Sequence, residues 1–580
     1  MTMALSTSVV TTVAAVTVFV FWVYQYVIHS AYLTPLAPVP KAHWSVPYSR
    51  LWILAIRFRR TENRTLHALH QRLGPVIQVA PYELSVDGVD CVRAVYVGGF
   101  EKPVWYSVFE NYGVPCMFSA RGSAEHSLRK RMISNVYSKS FIQASRAVSE
   151  HASIILLDRL LPTIRQSTTI QHGPQKLDVH SLFLATTMDF ISSYVFGIDN
   201  GTNFIQQTGY RGHWLELYQS RNDYGFYDQE LPALTRLARR LGIPLCPRFV
   251  DDANAELSQW CKEMCNSTLQ SLSTPEGKTK ADAVVMSALL GGLEKERVIK
   301  GTSSLLYPTA LAHHSLSVAS ELFDHVLAGQ ETAGVTLTYL TWRLSQSLPL
   351  QAELRRELLS LDQNLGYPSP ILPGAKKLDS LPLLHAVIME TLRLHAPIPG
   401  AQPRQTPYPS CRLGGYTVPG GVRVAAMAYT LHRDEKAFPD PEHWDHTRWL
   451  PGYANDDERR ARQKLFWAFG SGGRMCIGSN FAMHELKLIV AAIYSNFTSH
   501  IVDDEGVAEQ TDGYTSRPAK ERLYGCLRNL RALRFPSTDG YLAMIPLVPG
   551  HGYFGTHAAP DHQSSSLQLI KLCTTTINTV

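Results

Sequence analysis

The segment Phe466-Trp-Ala-Phe-Gly-Ser-Gly-Gly-Arg-Met-Cys-Ile-Gly-Ser-Asn-Phe-Ala-Met-His-Glu-Leu-Lys487 holds one cysteine, Cys476, in a loop rich in glycine. Apolar residues follow from Phe481 to Val490 at a spacing of about 3.6 residues, which predicts a helix. Cys476 is therefore expected just before a helix N-terminus, where free amides and the positive end of the helix dipole favour a thiolate. The glycines allow a large flat group to approach the backbone, and Arg474 supplies a fixed cation for a carboxylate.

A lone cysteine is most often a buried structural residue, so the interpretation depends on the neighbours of Cys476. A resemblance to the cysteine loop of the cytochrome P450 family rests on five residues at fixed spacing: Phe469, Gly472, Arg474, Cys476 and Gly478. The resemblance implies that the Cys476 thiolate is the axial ligand of haem iron. It also implies that Phe469, Arg474 and Gly478 help to bind the cofactor.

A second motif, Ala328-Gly-Gln-Glu-Thr332, lies within an apolar-periodic run from about residue 316 to residue 348. Thr332 can bond the carbonyl of Ala328 one turn back, which bends a helix, and Gly329 leaves room for dioxygen. The motif resembles the oxygen-activating helix of the same family. The resemblance implies that Thr332 and Glu331 deliver protons during O–O cleavage. Without the cysteine loop, a packing notch in a core helix would explain the motif equally well.

A third pattern places Glu390 and Arg393 three residues apart, where they meet on one face of a predicted helix. Alone, the pair would be interpreted as an ordinary surface ion pair. It resembles the Glu-x-x-Arg motif of the family, and the segment Pro441–Trp449 resembles the family's next segment. The resemblance implies that Arg448 completes a buried structural triad, although Trp444 and His446 stand where the family usually has Phe and Pro.

Basic side chains elsewhere are candidates for the haem propionates. His126 and Lys130 lie four residues apart in a predicted helix, at positions where the family often has Trp and Arg. Arg404 lies in a predicted strand that resembles the family's strand beside the haem. A solvated helix face is the alternative interpretation of the cations near Lys130.

The N-terminal segment Val9–Ile28 contains no charged residue and is long enough to span a bilayer. No Lys or Arg precedes Lys41, which disfavours a cleaved signal peptide, and the cations that follow place the body in the cytosol. The prolines of Thr34–Pro40 predict a semi-rigid spacer. The predicted organisation is a luminal N-terminus and transmembrane anchor (1–30), a proline-rich hinge (31–47), a catalytic domain (48–540) and a poorly ordered tail (541–580).

Three further segments carry predictions of local structure. Residues 75–86 and 414–425 each predict a β-hairpin, the second with its turn at Pro419-Gly-Gly. Residues 100–122 are rich in aromatic side chains, which the resemblance makes candidate walls of a substrate pocket. The end of the chain lacks the closing hairpin expected there.

The amino-acid composition excludes few classes of function. A formal charge of +6 over 580 residues, with no basic stripe, gives no support for nucleic-acid binding. Nine cysteines at scattered spacing favour a reducing compartment. The absence of a dinucleotide-binding glycine motif in a strand–helix context means that electrons must come from another protein.

Together these features predict a mainly α fold with small β-sheets, the cytochrome P450 fold, preceded by one transmembrane helix. The resemblance implies a haem-thiolate monooxygenase of the endoplasmic reticulum membrane that contains haem b and oxidises a small apolar substrate, in the style of fungal secondary metabolism. NADPH-cytochrome P450 reductase, with cytochrome b5 as a second donor, is the implied partner. Two alternatives stay open: a haem-thiolate isomerase or dehydratase, which intact Thr332 and Glu331 disfavour, and a membrane-anchored haem protein without turnover.

Overall fold

The structure, a computed structural model, describes residues 7–168, 176–274 and 282–529. The first six residues of the predicted luminal N-terminus and the predicted tail at 541–580 lie outside the described residues. The described chain is mainly helical with small sheets, so the predicted fold class is confirmed.

Helices of widely different length make up most of the body. The α-helices are Thr7–Val23, Leu51–Phe58, Glu62–Leu73, Val89–Val92, Ser123–Ile133, Lys139–Ala144, Arg146–Ser153, Leu161–Thr168, Val179–Phe196, Thr208–Ser220, Gly225–Glu230, Pro232–Arg240, Arg248–Ser273, Val284–Lys300, His314–Ser345, Leu348–Leu359, Ala375–Asp379, Pro382–Leu394, Ala428–Leu431, Asp456–Leu465 and Ser479–Asn496. Shorter π or 3-10 segments are Tyr24–Leu33, Arg93–Val97, Val104–Phe109, Ile154–Leu160, Asn222–Tyr224, Gly301–Ser303, Tyr307–Leu311, His446–Trp449 and Gly472–Arg474.

The core is built around the 32-residue helix His314–Ser345, here called the central helix. It packs along Val179–Phe196, a helix in which 17 of 18 residues are buried. The two helices approach closely because glycine faces the neighbour: a Cβ at Gly334 would lie 2.7 Å from Leu184 Cδ2. This contact holds the central helix rigidly in the middle of the molecule.

A four-stranded sheet lies beside the helical core, in the order Val76–Ala80, Glu83–Val86, Arg423–Met427, Ala401–Gln405. The first two strands form the predicted hairpin of residues 75–86, which is confirmed. The third strand runs parallel to the second and antiparallel to the fourth. This pairing fixes the position of Arg404 on the last strand.

The predicted hairpin at 414–425 is wrong. Tyr416–Pro419 pairs instead with the preceding strand, Ser410–Leu413, and the turn lies at Gly414-Gly415. Both turn residues have positive φ, 52° and 91°, which glycine adopts without strain and which suits a two-residue turn. Arg423–Met427 belongs to the four-stranded sheet, so the chain changes sheet after Pro419.

A closing sheet does exist, but it lies upstream of the tail. Phe497–Asp503 pairs antiparallel with Tyr524–Asn529, and the short strand Leu177–Asp178 extends the sheet. The sequence gives no hairpin signal near residue 525, because the partner strand lies about 25 residues away and no tight turn joins the two strands.

One N-terminal helical segment, Thr11–Leu33, is long and apolar enough to cross a membrane, and none of its most apolar window is buried against the body. This fits the predicted single anchor.

Candidate active site

An exposed stripe interrupts the central helix. Between Ser317 and Thr341 all residues are buried except six on one side: Asp324, Leu327, Ala328, Gly329, Glu331 and Thr332. All of them except Gly329 are spaced by three and four residues, which puts them on one face, and Gly329 lies at its edge against Ile191. The charge of Asp324 helps to raise the pKa of Cys476, so the helix and the cysteine loop lie near each other. We call the space between the stripe and the Cys476 loop the central recess.

Thr332 lies where the sequence predicts it to act. Its hydroxyl donates a 2.8 Å hydrogen bond to the Ala328 carbonyl, one turn back, and Ala328 itself is exposed to the recess. The bond competes for the carbonyl that would otherwise close the helical turn. The hydroxyl oxygen can still accept a hydrogen bond from another group in the recess.

Gly329 has a packing role that the sequence does not predict. A Cβ at this position would lie 2.6 Å from Ile191 Cγ1, on the neighbouring helix Val179–Phe196. The absence of a side chain therefore allows the two helices to pack closely. That Gly329 also makes room for dioxygen stays a prediction; Ala328, the preceding residue, has the most exposed small side chain of the stripe.

Glu331 is held by a residue that the sequence does not single out. The Tyr218 hydroxyl donates a 2.7 Å hydrogen bond to Glu331 Oε2. Burial and the Glu331 carboxylate together raise the pKa of Tyr218, so the phenol keeps its proton. Tyr218 belongs to the helix Thr208–Ser220, and its contact with Glu331 depends on tertiary packing that no local pattern reveals.

The cysteine loop has the predicted form. The Cys476 amide donates to the Phe469 carbonyl at 2.9 Å, which closes the loop, and the following helix begins at Ser479. Gly472 has φ 71°, and a Cβ there would lie 2.1 Å from the Tyr96 carbonyl oxygen. Only glycine fits this close approach.

The Cys476 side chain is exposed to the recess. Enclosure by the surrounding protein raises the pKa of its thiol. The Gly478 and Ser479 amides and the Lys130 ammonium act in the opposite direction. These three groups favour the thiolate, the form that binds a metal, but burial outweighs them and leaves the pKa of Cys476 above its usual value.

The predicted cations lie close together. Burial and four nearby cations together lower the pKa of His126 to about 3; the cations are Arg474, Lys102, Lys130 and Arg404. Lys130 Nζ donates to the Gly473 and Met475 carbonyls of the cysteine loop, at 2.9 and 3.2 Å. Arg474 donates to the Ala120 carbonyl at 2.6 Å and to Glu101 at 3.1 Å. Arg404 Nη1 donates to the Tyr106 hydroxyl at 3.0 Å.

Lys102 was missed by sequence reasoning. It is buried, its ammonium donates to the Phe118 carbonyl at 2.5 Å, and it lies about 4 Å from the ring centres of Tyr106 and Phe118. Burial lowers its pKa well below the usual range. A lone lysine ahead of an aromatic run, as in Lys102-Pro-Val-Trp-Tyr106, is the signal that could have found it.

These groups fit an iron porphyrin. The recess lies between the Cys476 loop and the small side chain of Ala328, which suits a flat ring, and the four cations near His126 suit its carboxylates. Cys476 is the residue that would hold the iron. Among the described residues, no group of three or more His, Cys, Asp or Glu side chains could hold a metal ion in another way.

The structure brings the three triad residues together in the core. Arg393 Nε and Nη2 donate to the two Glu390 oxygens at 2.8 Å each, and Arg448 Nε lies 3.5 Å from Glu390 Oε1. Glu390 and Arg393 have no exposed surface. Glu390 also accepts from the Asp445 amide and the Trp449 indole, at 2.8 and 2.9 Å, so each of its oxygens is satisfied.

Comparison with known proteins gives a consistent result. A family model for cytochrome P450 matches residues 46–523. Cytochrome P450 monooxygenase avaI of Aspergillus versicolor is 28% identical over 436 residues, 72% of this chain and 93% of the relative. Cytochrome P450 monooxygenase aflV of Aspergillus parasiticus is also 28% identical, over 81% of this chain and 86% of the relative. Cytochrome P450 monooxygenase FGM1 of Gibberella zeae is 26% identical, over 75% and 81%. The cysteine loop, the central helix and these matches agree, and we conclude that the chain belongs to the cytochrome P450 family and is a monooxygenase.

Proposed function

We propose that this monooxygenase inserts one oxygen atom of O2 into an apolar substrate, in fungal secondary-metabolite biosynthesis. The observation that carries the proposal is the pairing, around one recess, of the glycine-rich Cys476 loop with the Thr332–Ala328 bond on the central helix. The fungal monooxygenases to which the chain is similar support the same reading.

The cofactor of the proposal is haem b, whose iron the Cys476 thiolate would hold. When bound, it supplies the redox and oxygen chemistry that no amino-acid side chain provides. The chain's own contribution is to hold it. Phe469, Arg474 and Gly478 would shape the loop, Lys130 and Arg404 would supply positive charge for its carboxylates, and His126, whose low pKa keeps it neutral, would offer a ring N–H. Lys102 is a further cation beside His126.

The proton-handling residues of the proposal are Thr332 and Glu331. Thr332 Oγ1 presents a hydroxyl at the recess, and Glu331 presents a carboxylate one residue earlier on the same exposed stripe. We assign to Tyr218 a positioning role, because its hydrogen bond holds the Glu331 carboxylate. A carboxylate that can be released from such a bond can exchange protons with solvent.

The remaining parts of the proposal concern placement and partners. The chain is anchored in the endoplasmic reticulum membrane by residues 1–30, with a hinge at 31–47 and the catalytic domain, residues 48–540, in the cytosol. NADPH-cytochrome P450 reductase, with cytochrome b5 as a second donor, supplies the electrons. The decisive experiment is co-expression with a fungal reductase, followed by a screen of apolar fungal metabolites for oxygenated, NADPH-dependent products. Rearranged or dehydrated products formed without NADPH would instead favour the isomerase or dehydratase.

The first mutational prediction concerns Thr332→Ala. We expect the variant to retain haem and to consume NADPH, while product per NADPH falls by about 100-fold or more, because general acid–base catalysis contributes at least that much. Hydrogen peroxide should account for the missing product. The measurement compares NADPH, peroxide and product in the same reaction.

The matched control for this prediction is Thr336→Ala. Thr336 makes the same bond one turn later, to the Thr332 carbonyl at 2.8 Å, but it is buried away from the recess. It should retain the wild-type ratio of product to NADPH, and Thr332→Ser should recover part of it. An equal amount of product per NADPH in Thr332→Ala and in the wild type would rule out the proton-delivery role of Thr332.

A second prediction concerns Tyr218→Phe, which removes the hydroxyl that binds Glu331 and keeps the ring. We expect product per NADPH to fall about threefold, with haem content unchanged. The Glu331 carboxylate can still transfer protons, but it is no longer held in place by Tyr218. The solvent isotope effect on NADPH consumption should also change, which a purely structural role would not produce. An unchanged isotope effect and unchanged coupling would show that Tyr218 does not position Glu331.

A further inference from the structure

A polar cavity of about 330 Å³ lies outside the proposed active site. Its walls come from the C-terminal end of the central helix, the turn after the helix Pro382–Leu394, the start of the helix Glu62–Leu73 and the segment 508–516. Among the described residues, it shares no lining residue with the exposed stripe or with the Cys476 loop. The cavity is therefore a second candidate site, separate from the central recess.

The cavity opens to solvent beside two charged residues. Arg64 and Glu442 line it, and their side chains are 56% and 64% exposed. Asn63, His395 and Asp512 line the same cavity but are buried. An ion from solution can therefore enter and reach side chains that have lost most of their water.

Both carboxylates of this cavity already have donors. Glu442 Oε1 accepts from Arg433 Nε at 2.6 Å. Asp512 accepts from the Asn63 and Arg64 amides at 2.8 and 3.1 Å. These contacts compensate for the loss of water around each carboxylate, so neither acid calls for a cation from solution.

Arg343, near the end of the central helix, is held at the cavity by neutral groups. Its Nε donates to His395 Nε2 at 3.1 Å, and the His395 ring donates in turn from Nδ1 to Gln510 Oε1 at 3.1 Å. His395 also stacks on Tyr339, with ring centres 4.3 Å apart. The Arg343 guanidinium lies 4.4 Å from the centre of the Trp342 ring. These contacts fix the guanidinium but provide no negative charge.

The charge of Arg343 lacks an acceptor. Among the residues that the structure describes, no acidic side chain lies within 4.0 Å of Arg343, and no hydrogen bond engages its two terminal nitrogens. Burial, with the positive charge of Arg393, lowers the pKa of Arg343, and the attraction of Glu390 offsets this only in part. A guanidinium keeps its proton in proteins, so two NH2 groups remain free to donate into the cavity.

A buried acceptor in the same cavity also lacks a partner. Asn63 is 1% exposed, and its Nδ2 donates to the Gly513 carbonyl at 2.9 Å, but its Oδ1 receives no hydrogen bond from any described residue. A buried acceptor without a donor costs free energy. The cavity thus combines free donors at Arg343 with an unfilled acceptor at Asn63, and a ligand with both an anionic oxygen and a hydroxyl satisfies the two.

We propose that this cavity binds a phosphate group that keeps a hydroxyl, either the free ion or a phosphomonoester. The anionic oxygens accept from the Arg343 guanidinium, whose planar fork matches a phosphate, and the hydroxyl donates to Asn63 Oδ1. Arg393 and His432 line the same cavity, so the bound ion lies beside groups that support the segment before the cysteine loop. The site goes beyond the proposed function and does not depend on it.

The test is a calorimetric titration of the full-length, haem-bound protein in detergent micelles, at slightly acidic pH and constant ionic strength. The probes are inorganic phosphate, glycerol 2-phosphate and sulfate. Sulfate resembles phosphate in shape and is an anion, but it has no hydroxyl under these conditions. We expect saturable binding of phosphate, at least fivefold tighter than that of sulfate. Glycerol 2-phosphate that binds as tightly as phosphate would identify a phosphomonoester as the source, and weaker binding would identify the free ion.

Substitutions at Arg343 locate the bound ion. Arg343→Gln should weaken phosphate binding at least tenfold, whereas Arg343→Lys, which keeps the charge, should retain part of the affinity. Arg459→Gln is the matched control: the chemical change is identical, but Arg459 is 57% exposed and pairs with Asp456 outside the cavity. It should bind phosphate as the wild type does.

Three results would overturn the site. Wild-type protein without saturable phosphate binding would show that the cavity holds only water, and this measurement needs no variant to fold. Equal affinity for phosphate and sulfate would reject the hydroxyl contact with Asn63. Unchanged affinity in Arg343→Gln would show that the ion binds elsewhere. Because the heat of binding is measured without turnover, each of these results leaves the proposed monooxygenase function untouched.

Discussion

Cys476→Ala is expected to fold but to bind no haem. Cys476 lies in a loop whose amides, at Gly478 and Ser479, are aimed at its sulfur, and alanine leaves them with nothing to bind. The basic groups Lys102, Lys130, Arg404 and Arg474 can still attract the carboxylates of the cofactor, but such contacts cannot replace a bond to iron. The absorption of the purified protein and the iron content per chain measure the effect directly.

The loss of haem should also lower stability. A ligand that binds only the folded state at 1,000 times its dissociation constant adds about 4 kcal/mol, so the midpoint of unfolding should fall in Cys476→Ala and match that of haem-free wild type. Cys411→Ala is the matched control, because Cys411 is half-buried on the strand Ser410–Leu413. It should keep both haem and stability. A Cys476→Ala protein with an unchanged haem spectrum would refute the ligand assignment.

Features that depend on residues near in sequence could be predicted. The loop at Cys476 is set by glycines within eight residues, and the Thr332–Ala328 bond spans one helical turn. The Glu390–Arg393 pair likewise follows from helical spacing. In each case the partners lie on one element, so periodicity and turn chemistry are sufficient to bring them together.

Features that depend on packing between distant segments could not be predicted. Tyr218 reaches Glu331 across 113 residues, and Ile191, which explains Gly329, lies on a different helix. Lys102 gains its environment from Phe118 and Tyr106, whose rings are oriented by tertiary contacts. The prediction of a turn at Pro419-Gly-Gly was wrong for a related reason. Both Gly414-Gly415 and Gly420-Gly421 suit a turn, and only the pairing of the strands decides which one forms it.

The acidic stripe residue Asp324 illustrates the same limit. In sequence it is one more polar residue in an amphipathic helix, and the solvated face is the ordinary interpretation. Burial on every other side of the central helix turns that face into the wall of a recess. The position of Asp324 at the recess therefore follows from tertiary packing and not from the sequence of the helix.

Glu390→Gln is expected to destabilise the protein by about 3–5 kcal/mol, the usual cost of breaking a buried ion pair. The substitution keeps the shape of the side chain but leaves Arg393 without a negative partner, and Arg448 with only Asp445 at 4.0 Å, at a site that water does not reach. The new amide also places N–H groups against the Arg393 donors. Because native domains are stable by only about 5–15 kcal/mol, this is a large fraction of the total.

In Glu390→Gln the haem should be released before the chain unfolds globally. Arg393 donates to the His432 carbonyl at 2.9 Å, and the ring of His432 accepts from the Trp467 amide at 2.8 Å, nine residues before Cys476. The triad therefore supports the segment that enters the cysteine loop. We expect haem release at a lower urea concentration than unfolding of the helices, with the first followed by absorption and the second by circular dichroism.

The control is Glu150→Gln, which makes the same change in the exposed pair Arg146–Glu150, where the side chains are 90% and 54% exposed. Such pairs contribute about 0.5 kcal/mol or less, so both transitions should match those of the wild type. The double variant Glu390→Gln, Arg393→Met should recover part of the lost stability, since it removes one unpaired charge from the core. If Glu390→Gln alone costs no more than Glu150→Gln, the buried charge does not hold this region, and the carbonyl contacts of Arg393 must do so without it.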